Sequence, residues 1–267
     1  MERMLRIGFG SVVALTLLYV TLPSLVVMVT AFNDKALLMF PPEGWSTKWF
    51  VKAWEYEDFR SGLRNGLIIT AWASAIALVI GTMAAFVIER FEFRGRRALE
   101  MLLVSPLVIP HFTLGIGFLI LASGVSMSRT WSVVVLCHVV LVLPFVMRSV
   151  YVSLKNIDPA FERAAVSLGA RPLQVFLRID LPLLLPGLAG GWLFAAILSF
   201  NEFTATLFVT GQRTQTLPVA MYTYVREYAD PTMAALSAML IAVTALSLVI
   251  ANRFLGLDRI LSIEAGR

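Results

Sequence analysis

The chain has 267 residues, of which 58% are hydrophobic and only 15% are charged, whereas soluble domains average roughly 25% charged residues. A mean hydropathy of +0.81 is too high for a water-soluble protein, so the composition predicts a chain embedded in a lipid bilayer. The net charge of +5 comes from Lys and Arg in short segments between apolar runs, which is a topology signal and argues against nucleic-acid binding.

Six apolar segments approach or exceed the length of about 20 residues that a helix needs to cross a bilayer. They lie at about 8–32, 66–88, 99–122, 130–152, 183–210 and 233–251. Together they predict an all-α membrane fold with a single domain, 1–267. The first segment follows basic residues as a signal peptide would, but its apolar stretch of about 25 residues is too long for one, and we interpret it as a retained anchor helix.

The third segment contains Pro106 and Pro110, and the fourth contains Pro144. Proline is tolerated in a spanning helix when neighbouring groups satisfy the carbonyl that it frees. We therefore expect kinks at these positions, without breaks in the helices.

The distribution of Lys and Arg predicts the topology. Fourteen of the 22 lie at the termini and in the second and fourth loops, and eight lie in the other loops. Because positive charge marks the cytoplasmic side, both termini are predicted to be cytoplasmic. The long first outer loop, 33–65, contains three tryptophans, and 47–64 could form an amphipathic helix. This loop is either an interfacial anchor or a docking surface for an external partner.

Sequence motifs for catalysis are missing from the chain. No G-x-x-x-x-G-K-[ST], H-E-x-x-H or G-x-S-x-G occurs, so neither ATP binding by a phosphate loop nor a catalytic site is expected. Cys137 and His138 are adjacent, and adjacent residues of a helix point about 100° apart. We therefore interpret this pair as core packing, and no metal site is expected.

The loop 153–182, between the fourth and fifth spans, has the most specific pattern. Asp158 and Pro159 are typical of an N-cap and the first residue of a helix, and Gly169 suits the left-handed residue that ends one. Pro172 can open a second short helix that leads into the fifth span. The first helix would place four residues on one face: Phe161, Ala164, Ala165 and Leu168. This face either packs on the chain's own helices or enters a groove on a soluble partner.

The same loop resembles the cytoplasmic loop of binding-protein-dependent ABC importer permeases, which reads E-A-A, three residues, G, nine residues, I, one residue, L-P. The matching residues are Ala164, Ala165, Gly169, Ile179, Leu181 and Pro182, whereas Arg163 stands at the glutamate position and Glu162 precedes it. By this resemblance, the segment that couples the permease to its ATPase comprises Phe161, Glu162, Arg163, Ala164, Ala165, Leu168, Gly169, Ala170, Pro172, Ile179, Leu181 and Pro182.

The six spans, the first outer loop and the segments 199–203 and 216–219 resemble the polyamine branch of this family. The resemblance implies the type I importer permease fold in the bacterial inner membrane. It also implies two separate ATPase subunits that bind ATP and Mg²⁺, a second, different permease subunit and an external solute-binding protein. Related branches import ferric iron, thiamine or aminoalkylphosphonates, which remain alternative solutes. A self-contained carrier or channel is the alternative class.

Glu202 lies deep in the predicted fifth span, where a carboxylate costs roughly 2.5–3.5 kcal/mol by insertion scales. It is either the counter-charge for a cationic solute such as a polyamine, or a structural residue that forms a hydrogen bond or an ion pair across the subunit interface or is protonated. His111 is either a pathway residue or a hydrogen-bonded interhelical histidine. The candidate residues of the translocation pathway are Ser199, Phe200, Asn201, Glu202, Phe203 and His111.

Overall fold

The computed structural model describes residues 2–255, and Arg259 and Arg267, which the topology prediction counted, lie outside them. Within that range the regular elements are helices, apart from an isolated antiparallel bridge between Asn33 and Trp45. The all-α prediction is therefore confirmed. The helices are α1 (Glu2–Thr30), α2 (Lys48–Glu55), α3 (Glu57–Arg90), α4 (Arg96–Val104), α5 (His111–Gly124), α6 (Trp131–Lys155), α7 (Pro159–Ser167), α8 (Pro172–Val175), α9 (Leu181–Asn201), α10 (Thr206–Val209), α11 (Leu217–Glu227) and α12 (Thr232–Leu255).

Among residues 2–255, four helical runs are long and apolar enough to cross a membrane: Gly8–Thr30, Glu57–Arg90, Trp131–Lys155 and Pro172–Asn201. They overlap the first, second, fourth and fifth predicted spans. A bent pair, Arg96–Leu107 with His111–Gly124, makes a fifth if it is counted as one span. In the region of the sixth predicted span, Thr232–Leu246 is a shorter apolar helix. The sixth span and the cytoplasmic placement of the termini stay predictions.

The third predicted span, 99–122, is broken. The chain turns by 104° between Leu107 and His111, after a 3₁₀ turn that contains Pro106. Pro110 has no N–H for a helical bond and its ring disfavours helical geometry at the preceding residue. The prediction of a kink without a break is therefore wrong here, whereas Pro144 lies inside the continuous α6 as expected.

The fifth predicted span, 183–210, also differs from the structure. Its helix α9 ends at Asn201, the backbone of Glu202 is extended, and helical geometry resumes only at Thr206. At the other end, α8 continues into α9 through a π-helical turn, Phe176–Asp180. Pro182 cannot donate a backbone hydrogen bond in the first turn of α9, which favours a wider turn before it.

Contacts divide the described residues into two compact units, 61–220 and 2–60 with 221–255. In the first unit, α6 and α9 pack closely because glycines on α9 face serines on α6. The Ser149 hydroxyl donates a hydrogen bond to the Gly187 carbonyl at 2.9 Å. A Cβ at Gly187 would lie 1.9 Å from Ser153 Oγ and 2.7 Å from its Cβ. Around this seam lie buried apolar side chains: Val146, Val150, Leu154, Leu184 and Ala195.

In the second unit, α1, α2 and α12 share a small core that contains Trp49 and Ala235. Trp49 Nε1 donates to the Asn33 carbonyl at 2.6 Å. Lys52 forms an ion pair with Asp230 at 2.6 Å, and this hydrogen bond raises the pKa of Lys52. The predicted amphipathic helix over 47–64 is interrupted, because α2 ends at Glu55 and α3 begins at Glu57.

We predict that Gly187→Ala destabilises the fold, because the added methyl group overlaps both Oγ and Cβ of Ser153. Overpacking of this kind costs about 1–3 kcal/mol, which should lower the thermal unfolding temperature of the protein in detergent by several degrees. Gly190→Ala is the matched control on the same helix, since its nearest neighbour would be Ser149 Oγ at 3.9 Å. Equal unfolding temperatures for the two variants would contradict the close packing of α6 on α9.

Candidate functional site

The helix α7 forms as the sequence predicts, with a cap at each end. At its start, Asp158 Oδ1 accepts a hydrogen bond from the Ala160 N–H at 2.8 Å. At its end, Gly169 has a φ of +83°, and the Ala170 N–H donates to the Ala165 carbonyl at 3.0 Å. This is the Schellman arrangement, in which the left-handed residue is usually glycine. The local structure predicted for the first half of the loop is confirmed.

The second half of the loop is also capped. Pro172 is the first residue of α8, and Gln174 Oε1 accepts a hydrogen bond from the Arg171 N–H at 2.8 Å. From there the chain passes through the π-helical turn, which contains Ile179, into α9 at Leu181 and Pro182. The loop is therefore built from two short helices joined at Gly169, and the second is continuous with a membrane-spanning helix.

The apolar face of α7 is largely uncovered. Phe161 is 57% exposed and Leu168 is 90% exposed, Ala164 is exposed and Ala165 is half-buried. Val166 and Leu173 add further exposed apolar surface nearby. Apolar side chains that meet water in this number are typical of a surface that binds a partner. Of the two interpretations of this face, the exposure favours a groove on a soluble partner.

An ion pair anchors α7 to the end of α3. Arg90 donates to a carboxylate oxygen of Glu162, and both side chains are about three-quarters or more buried. The carboxyl group of Asp180, which is 3% exposed, lies beside this pair. Arg163, at the position of the motif glutamate, is instead exposed. The glutamate one position earlier thus points toward the membrane domain, and the arginine points away from it.

Glu202 occupies the break at the end of α9. One carboxylate oxygen accepts a hydrogen bond from the Ala205 N–H at 2.8 Å, and the other lies 2.8 Å from Nδ1 of His111. The Glu202 side chain is 11% exposed and that of His111 is 46% exposed. His111 is the first residue of α5, directly after the break in the third predicted span. The two helix breaks of this unit therefore meet at one carboxylate, which lies after the end of a helix and not inside one.

A buried histidine ties the two sides of the Glu202 break together. His138 Nδ1 lies 2.8 Å from Ser199 Oγ, at the end of α9, and Nε2 lies 2.9 Å from Thr206 Oγ1, at the start of α10. Cys137 and His138 are buried, as the core-packing interpretation expects. The sequence did not predict the bridge itself. The sequence did hold one signal for it: His138 is a polar residue within an apolar span, and a buried polar ring must form hydrogen bonds with polar partners.

The other residues predicted to line the pathway do not take part in the contact between Glu202 and His111. The Ser199 hydroxyl is buried and engaged by His138, and the amide of Asn201 donates to the Ile197 carbonyl at 2.8 Å. Phe200 and Phe203 are half-buried. The structure thus brings together Glu202 and His111, and it places Ser199 in a structural contact.

The approach of α5 to the segment after Glu202 depends on a glycine. A Cβ at Gly115 would lie 2.7 Å from the Ala205 carbonyl oxygen and 2.8 Å from its Cα. These are backbone atoms, which cannot rotate away as a side chain can. Gly115 therefore allows α5 to pack directly on the start of α10.

We predict that Gly115→Ala displaces the Ala205 backbone and with it the carboxylate of Glu202, because the added methyl group overlaps backbone atoms. Overpacking of this kind costs about 1–3 kcal/mol, which should lower the thermal unfolding temperature of the protein in detergent by several degrees. Gly117→Ala on the same helix is the control, because a Cβ there would meet no atom within 4 Å. Unfolding of Gly115→Ala at the same temperature as Gly117→Ala would refute the role of this contact.

Comparison with known proteins finds a matching family and several relatives. Residues 77–257 match the family model described as binding-protein-dependent transport system inner membrane component. The chain is 32% identical to the putrescine transport system permease protein PotI of Escherichia coli K12, over 82% of this chain and 80% of the relative. It is 28% identical to the spermidine/putrescine transport system permease protein PotC of the same organism, over 96% of each chain. It is also 36% identical to the molybdenum transport system permease protein ModB of Mycobacterium bovis, over 66% of this chain and 73% of the relative.

Solved structures agree on the fold. A bacterial ABC transporter that imports the acidic polysaccharide alginate contains a chain that matches 95% of this one with a TM-score of 0.70 and 16% identity, over 97% of its own length. The MetNI methionine ABC transporter matches 76% of this chain with a TM-score of 0.60 and 21% identity, over 94% of its own length. The helices described above therefore adopt the fold of ABC importer permeases.

Proposed function

The chain belongs to the family of binding-protein-dependent transport system inner membrane components, and from this membership we propose that it is one permease subunit of an ATP-driven polyamine importer. It forms half of the translocation pathway in the bacterial inner membrane, with both termini in the cytoplasm. A second, different permease subunit forms the other half. An external binding protein delivers the solute, and a separate pair of ATPase subunits binds ATP and Mg²⁺.

The proposed coupling element is the loop 153–182. The observation that supports it is that α7 is apolar and exposed, yet firmly connected to the membrane helices. The Glu162–Arg90 ion pair holds α7 to α3, and the neighbouring helix α8 continues into α9. When the ATPase subunits close, α7 moves with the groove that holds it, and the attached helices move with α7. The membrane helices have two packings, and each opens the pathway to one side of the membrane. ATP binding then favours one of these packings over the other.

The proposed solute is a polyamine such as putrescine or spermidine. Two observations support a cation: the similarity to PotI and PotC, and a carboxylate held at the junction of two helix breaks. Helix breaks inside transporters usually line a water-filled cavity or a binding site. Glu202 keeps its position through the Ala205 N–H, and its negative charge attracts an ammonium group. His111, at the rim of this junction and half-exposed, is proposed to orient the carboxylate.

We predict that Gly169→Asp abolishes ATP-driven uptake and leaves insertion into the membrane intact. A non-glycine residue at a φ of +83° costs about 1–3 kcal/mol, and here the cost falls on the end of the coupling helix. Gly95→Asp is the matched control, because Gly95 also has a positive φ, of +96°, but lies in the loop before α4. Uptake of radiolabelled putrescine by the reconstituted complex measures both. Normal uptake by Gly169→Asp, or equal losses in the two variants, would count against the coupling role.

We predict that Glu202→Gln lowers the rate of putrescine uptake by about tenfold, or 1.4 kcal/mol, without loss of folded protein. Glutamine retains an oxygen that accepts the Ala205 N–H, but it lacks the negative charge. The variant therefore tests the electrostatic role of Glu202 while the hydrogen bond that supports the fold is kept. Glu92→Gln removes the same charge in the exposed loop between α3 and α4 and should leave uptake unchanged. Full uptake by Glu202→Gln would assign Glu202 a structural role only.

A further inference from the structure

The exposed surface of the coupling loop carries basic groups that have no acidic partner among the described residues. The side chains of Arg163, Arg171 and Arg178 are exposed. None of the three forms an ion pair with a carboxylate in residues 2–255. Guanidinium groups remain charged at any physiological pH, so this surface is positive under all conditions of transport.

None of the carboxylates of the loop forms an ion pair with Arg163. Asp158 accepts the Ala160 N–H at the start of α7, Glu162 is paired with Arg90, and Asp180 is buried beside that pair. A partner that covers the exposed apolar residues around it must supply the compensating charge, because an arginine buried without a counter-charge is strongly unfavourable.

The position of Arg163 distinguishes it from a basic residue that serves topology alone. Lys155 lies at the end of α6, next to the membrane-spanning run, where positive charge is expected on the cytoplasmic side. Arg163 lies in the middle of α7, and Val166, one turn further along the same helix, is 60% exposed. Since neighbouring residues of a helix point about 100° apart, Arg163 projects away from the side on which Glu162 meets Arg90.

We propose that the ATPase subunit which covers α7 presents a carboxylate to Arg163 within an otherwise apolar groove. This inference rests on the proposed function, in which an ATPase binds the coupling loop. Family members with glutamate at this position carry the opposite charge, so an ATPase suited to them would place the wrong charge opposite Arg163. The Arg163 contact then sets which ATPase this permease accepts, since like charges across an interface exclude wrong partners.

The test uses the complete complex, coexpressed from its own genes and purified through a tag on this permease in nanodiscs. Arg163→Glu is compared with Lys155→Glu, which changes the net charge of the same loop by the same amount. The ATPase retained on the permease is measured at increasing NaCl concentrations. We expect Arg163→Glu to retain at least about tenfold less ATPase, because a covered charge pair is lost, and Lys155→Glu to change retention less than twofold. Replacing the groove carboxylate of the ATPase by arginine should restore binding to Arg163→Glu.

Each outcome decides a separate point. If the unaltered permease retains no ATPase, the proposed function itself fails. If it does retain ATPase and Arg163→Glu retains the same amount, the acidic groove is refuted and the proposed function stands. Equal losses for Arg163→Glu and Lys155→Glu would also refute it. Nanodiscs of phosphatidylcholine and of phosphatidylglycerol are compared, and a loss confined to the anionic lipid would assign Arg163 to lipid headgroups.

Discussion

Inside a bilayer, each backbone N–H and C=O group needs a partner within the protein, because the hydrocarbon offers none. This requirement is most demanding where a helix is interrupted, and the unit 61–220 meets it at Glu202. The carboxylate accepts the Ala205 N–H, and the ring of His138 bridges Ser199 and Thr206 on the two sides of the break. The same group that satisfies the backbone also brings a negative charge to the junction with His111. Stability and the proposed solute contact therefore depend on one side chain.

A second connection links the membrane helices to the coupling loop. Through Glu162 and Arg90, α7 is joined to the end of α3, and through the π-helical turn α8 is joined to α9. The end of α9 carries the break at Glu202, about 30 Å from the first residue of the helix if each of its residues rises 1.5 Å. A displacement of the loop therefore acts on the helix that positions the carboxylate. No separate relay is required, because a helix transmits an axial displacement along its length.

The features that the sequence predicted well depend on neighbouring residues. The cap at Asp158 and the left-handed Gly169 are decided within a few residues of chain, and both are in place. The features that it missed depend on distant ones. A proline can kink or break a helix according to what surrounds it, so Pro144 and Pro110 gave opposite outcomes. His138 finds its partners 61 and 68 residues away, and Glu162 finds Arg90 at a separation of 72. Periodicity along one helix does not determine such pairings.

We propose that this chain moves a polyamine only as part of an ATP-driven complex. The decisive experiment is uptake of radiolabelled putrescine into proteoliposomes that contain both permease subunits, the ATPase and the binding protein, with each component omitted in turn. We expect uptake that requires ATP and stops when either the ATPase or the binding protein is left out. Putrescine uptake by this chain alone, without ATP, would overturn the proposal.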